Sequence, residues 1–120
     1  VKQKITFSPE ELKSFKAMIR ALAQFKQLSE RFPVSYMETL LQVAVKQGLG
    51  TTEYAQRVEI SKDNTSRTLG ILGERPRTRD DKVYGFVEQC DDPIDSRKTH
   101  YYVTSKGAQL LKKIHQELEA

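Results

Sequence analysis

The stretch from residue 83 to residue 103 constrains the fold more than any other part of the chain. Residues 83–90 and 97–103 are rich in Val, Tyr, Phe and Thr and flank the turn-forming Asp91-Asp92-Pro93-Ile94-Asp95, which is the pattern of a β-hairpin. The rest reads as helices and their connections, with residues 75–82, which hold a proline and no apolar residue, as an exposed loop. Ser8-Pro9-Glu10-Glu11 offers a capping oxygen, a proline where its missing N–H costs nothing, and acids at the positive end of the dipole. A long helix is therefore expected over 9–30. Its Leu12, Phe15, Met18, Ile19, Leu22, Phe25 and Leu28 form a stripe wider than one small core needs, so part of it is expected to meet another chain. Pro33 ends that helix, Ser35-x-x-Glu38 reads as a capping box for a second, and Gly48 reads as its C-cap. Thr51 or Thr52 caps a third helix, Ser61 a fourth over about 62–73, and Thr104 a last one through Leu111, Ile114 and Leu118. The order is four helices, a hairpin and a helix, which is the order of a winged helix-turn-helix.

At 120 residues the chain has room for one domain, and 38% apolar content excludes a wholly disordered one. No apolar run approaches the roughly 18 to 20 residues of a membrane span, and Val1-Lys2-Gln3-Lys4 is not followed by a hydrophobic signal core. A soluble, cytoplasmic protein with no membrane partner is expected, and the missing initial Met suggests a trimmed chain. Cys90 stands alone, which excludes an internal disulfide and points to a half-buried strand residue in a reducing compartment. His100 and His115 are far apart and read as ordinary polar residues, so neither a metal nor a cofactor is expected. An enzyme is the least favoured class, because no nucleophile set or phosphate loop is present and Asp80-Asp81 and Asp91-Asp92 read as loop acids without partners.

Thr51 to Leu69 reads as the helix-turn-helix itself. Ala55 is the small residue a close crossing needs, Val58 and Ile60 fill the corner, and Leu69 and Leu72 turn the back of the fourth helix to the core. The front is then Lys62, Asp63, Asn64, Thr65, Ser66 and Arg67, in the first two turns, where this motif meets base edges. Asn pairs bidentately with adenine, Arg with guanine, and Ser or Thr with bases or phosphate. The hairpin that follows carries Arg97 and Lys98 at its tip, as a wing would, and Asp95 stands two residues before Arg97 to hold its guanidinium.

Asp92-Pro93-Ile94-Asp95-Ser96-Arg97 followed by Val103-Thr104-Ser105-Lys106-Gly107 resembles the wing signature of the MarR family of bacterial transcriptional regulators. Ile60 to Arg67, with Leu69 and Leu72, is similar to that family's recognition helix, and Gly85-Phe86-Val87-Glu88 to its approach to the wing. The resemblance covers roughly residues 35 to 107. It implies an α+β, mostly helical winged-helix fold, divided into a basic arm and long dimerisation helix (1–34), a DNA-binding domain (35–104) and a C-terminal dimerisation helix (105–120). It also implies a homodimer that binds a palindromic operator in double-stranded DNA, usually as a repressor, in the cytoplasm of a bacterium or encoded by a phage. Lys62, Asn64, Thr65, Ser66 and Arg67 would serve the major groove, and Arg97 with Lys98 the wing. The family often binds aromatic acids between its dimerisation and DNA-binding parts, but no residue set here identifies an effector, and Cys90 is not placed for the family's redox sensing.

Three features depart from the family pattern. About ten residues, 75–84, are inserted before the wing; Arg75, Arg77 and Arg79, with Thr52 on the third helix, are candidate phosphate contacts, countered by Asp80 and Asp81. The sequence stops about sixteen residues after Thr104, and Glu59 stands where the turn often has glycine. A replication or partition protein of a phage or plasmid, built on the same winged helix, is the alternative. A winged helix used only for protein contacts is a third reading. The net charge of +4 does not decide among them, because residues 51–107 hold ten bases and ten acids and the surplus lies in residues 1–31.

Overall fold

The computed structural model describes residues 3–75, 82–95 and 97–120. Its elements are α1 (Pro9–Lys26), α2 (Val34–Val45), α3 (Thr51–Val58), α4 (Lys62–Leu72), β1 (Val87–Asp91), β2 (Thr99–Val103) and α5 (Ser105–Glu119). The strands pair antiparallel, with Val87 opposite Val103 and Cys90 opposite His100. A lone hairpin is marginal in water. This one is held because its inner residues Val87 and Tyr101 join a core with Phe25, Phe32, Leu40, Val43, Tyr54, Leu69, Leu72, Phe86 and Ile114.

Ser8 caps α1 with a reciprocal bond to Glu11, and Ser61 and Thr104 cap α4 and α5 by accepting from Asn64 and Gly107 backbone N–H groups. The expected capping box at Ser35 does not form. The helix starts two residues earlier, with Pro33 at its N-cap, so Ser35 is already helical and its carbonyl accepts the Thr39 hydroxyl instead. Likewise Gly50, not Thr51 or Thr52, is the N-cap of α3. Helix α1 ends at Lys26 rather than at residue 30, since the chain turns back through Ser29 to stack Phe32 on Phe25, ring centres 5.6 Å apart. Helix α2 stops at Val45; Gly48 lies beyond its Lys46 C-cap, where φ of +88° and a bond from its N–H to the Tyr101 carbonyl begin a short extended pairing with β2. Tyr101 N–H in turn donates to the Leu49 carbonyl, so the α2–α3 connection lies along the free edge of β2.

The radius of gyration is 17.0 Å, against about 14 Å for a compact domain of this length. The excess comes from α1 and α5, which pack along each other and project. Arg20 fastens the pair by donating to the Glu117 carbonyl from Nε at 3.1 Å and to the Ala120 carbonyl from Nη2 at 3.0 Å. Helix α1 buries Ala17, Ala21, Gln24 and Phe25, and leaves Leu12, Phe15, Met18, Ile19 and Leu22 exposed. The wide apolar stripe thus faces outward for most of its length.

Candidate nucleic-acid interface

Helices α3 and α4 meet over a three-residue turn. Glu59 sits there in the left-handed region at φ +58°, and the N–H groups of Glu59 and Ile60 both donate to the Ala55 carbonyl. Buried Ala55 and Val58 let the helices approach, and Tyr54, fully buried, donates from its hydroxyl to the Lys46 carbonyl at 2.6 Å. Burial in that apolar setting pushes the Tyr54 phenol above its ordinary pKa, so the hydroxyl stays a donor. With its root fixed in this way, α4 presents Lys62, Asp63, Asn64 and Arg67 to solvent, with Ser66 half-buried.

Thr65 does not belong to that front. It is 0% exposed and its hydroxyl donates to the Ser61 carbonyl at 2.9 Å, so it packs with Thr68, Leu69 and Leu72 on the inner face. The spacing 65, 68, 69, 72 is itself the signal of one helical face, and a run of six consecutive residues cannot all point one way.

The C-terminus of α4 fixes the approach to the wing. Tyr84, Gly85 and Phe86 donate their N–H groups to the carbonyls of Ile71, Gly73 and Leu72, which the helix itself cannot satisfy. The insertion therefore leaves and returns at one place. Within it Arg75 is exposed, while Arg77 and Arg79 lie outside the described residues.

At the far end of the hairpin Asp92 N–H donates to the Lys98 carbonyl, and Asp92 Oδ1 accepts from the N–H groups of Ile94 and Asp95. Asp95 holds Arg97 as expected: Oδ1 accepts from Arg97 Nε at 3.2 Å, with the guanidinium side chain 89% exposed. The wing tip thus carries two cations on a turn stiffened from within.

These parts converge. A cleft of about 500 Å³ lies between the start of α3, the start of α4 and the wing, and its walls include Thr51, Thr52, Lys62, Arg97, Lys98 and Thr99. Four residues read separately from the sequence, Thr52, Lys62, Arg97 and Lys98, therefore line one concave surface, beneath an α3 N-terminus that has no side-chain cap. Glu53 and Asp92 stand on the same walls and offset part of that charge, so the uncapped amides of α3 and the three cations Lys62, Arg97 and Lys98 together leave a setting for an anion such as a backbone phosphate.

Sequence reasoning missed two features of the region. His100, taken as an ordinary polar residue, lies 2.9 Å through Nδ1 from the Gly48 carbonyl and 3.0 Å through Nε2 from Asp92 Oδ2, so Asp92 is not a loop acid without partners. Cys90 is exposed rather than half-buried, because β1 is an outer strand and its side chain lies on the solvent face. Among the described residues no group of acids, histidines and cysteine is placed to hold a metal, and no helix is long and apolar enough to cross a membrane.

A second cleft, of about 420 Å³, runs between the end of α1, residues 82–86 and α5. Lys82 Nζ stands 5.3 Å from the centre of the Tyr84 ring and Lys106 Nζ 5.6 Å from that of Phe86, with Lys113 beside them.

The fold is that of winged-helix transcriptional regulators. Similar solved structures include the transcriptional regulator Tm0710 from Thermotoga maritima, at 14% identity and TM-score 0.72 over 92% of this chain and 69% of that one. The S. aureus MepR–DNA complex matches at 18% identity and TM-score 0.67 over 92% of this chain and 84% of that one. The transcriptional repressor CouR bound to a 23-mer DNA duplex matches at 19% identity and TM-score 0.63, over 92% and 70%. The neighbours are MarR-family regulators, so the resemblance read from the motifs holds at the level of the fold. No protein-family model matches the chain. Among curated proteins, one component of the aspartyl/glutamyl-tRNA(Asn/Gln) amidotransferase of Clostridium acetobutylicum is 32% identical over 82 residues, which is 68% of this chain. The chain spans 17% of that component's length.

Proposed function

We propose that this chain is a sequence-specific double-stranded DNA-binding transcriptional regulator that acts as a homodimer on a palindromic operator, with repression as the sign. The observation that carries this reading is the cleft in which Thr52, Lys62, Arg97 and Lys98 meet at the uncapped start of α3. Lys62, Asn64, Ser66 and Arg67 on the outer side of α4 would serve the major groove, with Arg97 and Lys98 on the flanking groove and backbone. The MepR and CouR neighbours are DNA complexes, which supports a duplex as the partner. The outward stripe Leu12, Phe15, Met18, Ile19 and Leu22 supports a second copy as its cover, and a two-fold axis there would place two α4 helices on half-sites about one DNA turn apart.

The activity of the amidotransferase is not carried to this chain, which spans so little of the matching component.

Selection of bound fragments from sheared genomic DNA, followed by footprinting, tests the reading. A single imperfect palindrome over a promoter supports it. Iterated direct repeats at an origin would favour a replication or partition protein, and no retention of DNA at low salt would overturn the nucleic-acid reading altogether.

A further inference from the structure

His100 occupies a position that only one of its ionisation states can satisfy. Its Nδ1 lies 2.9 Å from the Gly48 carbonyl oxygen and its Nε2 lies 3.0 Å from Asp92 Oδ2. Both partners accept and neither donates, so both ring nitrogens must carry hydrogen, and the ring must be the imidazolium. A neutral ring would turn one lone pair toward an oxygen and lose that contact. The alternative of a protonated Asp92 beside a neutral ring is disfavoured, since Asp92 already accepts from two backbone N–H groups through Oδ1.

What the imidazolium joins gives it a consequence. Gly48 belongs to the α2–α3 connection that leads into the first helix of the helix-turn-helix, and Asp92 opens the wing turn that carries Arg97. We propose that His100 is a positioning residue for DNA binding, which while protonated clamps the wing turn to the α2–α3 connection and on losing its proton releases it, making the wing's placement pH-dependent.

The charges around the ring agree. Asp92 from the wing turn and Glu53 from the first turn of α3 both favour its charged form, and the cations Lys62, Arg97 and Lys98 line the cleft on which it borders. The hydrogen bond to Asp92, then that to Gly48, raises the histidine above its ordinary 6.5, and the reciprocal bond holds the Asp92 carboxyl down at about 2. The sign follows. A raised histidine contributes fully below pH 6.5 and its contribution is lost as pH rises through its folded value, while Asp92 stays charged throughout that range. Binding of DNA is predicted to weaken as pH rises above 6.5 through the histidine's raised folded value, a consequence that rests on the function proposed above.

The test follows the histidine, the wing and the DNA separately. The imidazole nitrogen and carbon-proton shifts of His100 in the whole chain are followed with pH by NMR, assigned by their loss in His100→Gln. His100 should titrate above its ordinary 6.5 in the wild type and lower in Asp92→Asn; equal midpoints in both proteins overturn the clamp. Amide exchange at Asp95 and Ile94, corrected for the intrinsic pH dependence, should lose protection across His100's own titration in the wild type and show no such step in His100→Gln. Unchanged protection across that titration also overturns it. Retention on sheared calf-thymus DNA at low salt should fall severalfold over the same pH step in the wild type and not in His100→Gln. Absence of retention at every pH, with the first two results as expected, would leave the clamp standing and remove the DNA reading instead.

Discussion

Replacing Gly107 by alanine probes how α5 is seated on the root of the wing. Thr104 donates from its hydroxyl to the Gly85 carbonyl at 2.6 Å and accepts from Gly107 N–H at 3.1 Å, while its own N–H donates to the Phe86 carbonyl. These bonds draw the first turn of α5 so close to residue 86 that a Cβ at position 107 would fall inside the contact distance of the Phe86 carbonyl oxygen. It would also lie 3.0 Å from Val103 Cγ1. The obstacle is backbone, which cannot rotate away, so the cost belongs at the upper end of the roughly 1–3 kcal/mol of overpacking. Alanine's helix preference returns at most about 1 kcal/mol. A net loss of about 2 kcal/mol is expected. At about 2.1 cal/mol/K per residue the unfolding entropy of this chain makes each kcal/mol worth about 4 °C, so the melting midpoint should drop by about 8 °C. Far-UV circular dichroism melts of Gly107→Ala, beside Gln109→Ala on the exposed face of the same helix, measure it. A Gly107→Ala protein that melts at or above the wild type would show that α5 does not sit where the Thr104 bonds place it.

Three further outcomes follow from the same geometry. Tyr54→Phe leaves the Lys46 carbonyl and the Leu49 N–H without their partner and should cost about 1–3 kcal/mol in urea unfolding. Glu59→Gly relieves a left-handed residue at the helix-turn-helix corner, worth about 1–2 kcal/mol, against up to about 1 kcal/mol of added unfolded-chain entropy, so a gain of about 0.5–1 kcal/mol is expected. Thr65→Ala should lower stability by up to about 1 kcal/mol while leaving DNA affinity unchanged, whereas Lys62→Ala should do the reverse, as fluorescence anisotropy with duplex DNA and thermal melts would show together.

The element order and three of the helix starts were legible because they depend on local chemistry. Ser8, Ser61 and Thr104 each cap the helix that follows them, and the hairpin declares itself through strand formers around Asp91–Asp95. Errors arose where distant contacts overrode local preference. The turn after Lys26 is set by Phe32 stacking on Phe25, and Pro33 begins α2 two residues ahead of the sequence's own capping box. In the candidate site, Lys62, Arg97 and Lys98 are visible in the sequence as cations, but their sharing of one cleft with Thr52 depends on how the hairpin folds back on α3. Thr65 belongs by its run of polar neighbours to the outer side of α4 and by its helical spacing to the inner face, and the spacing decides. His100 was invisible for another reason: its partners Gly48 and Asp92 are 52 and 8 residues away, and nothing local distinguishes a clamped imidazolium from a solvated ring.

On the function proposed above, the outer side of α4 and the wing grip duplex DNA. The most direct test is the affinity of wild type, Arg67→Ala and Arg97→Ala for the duplex recovered by genomic selection, at fixed pH and salt. Each substitution should cost about 1–3 kcal/mol, or roughly 5- to 150-fold, with thermal stability unchanged. If both variants bind as tightly as the wild type, this surface is not the one that meets DNA.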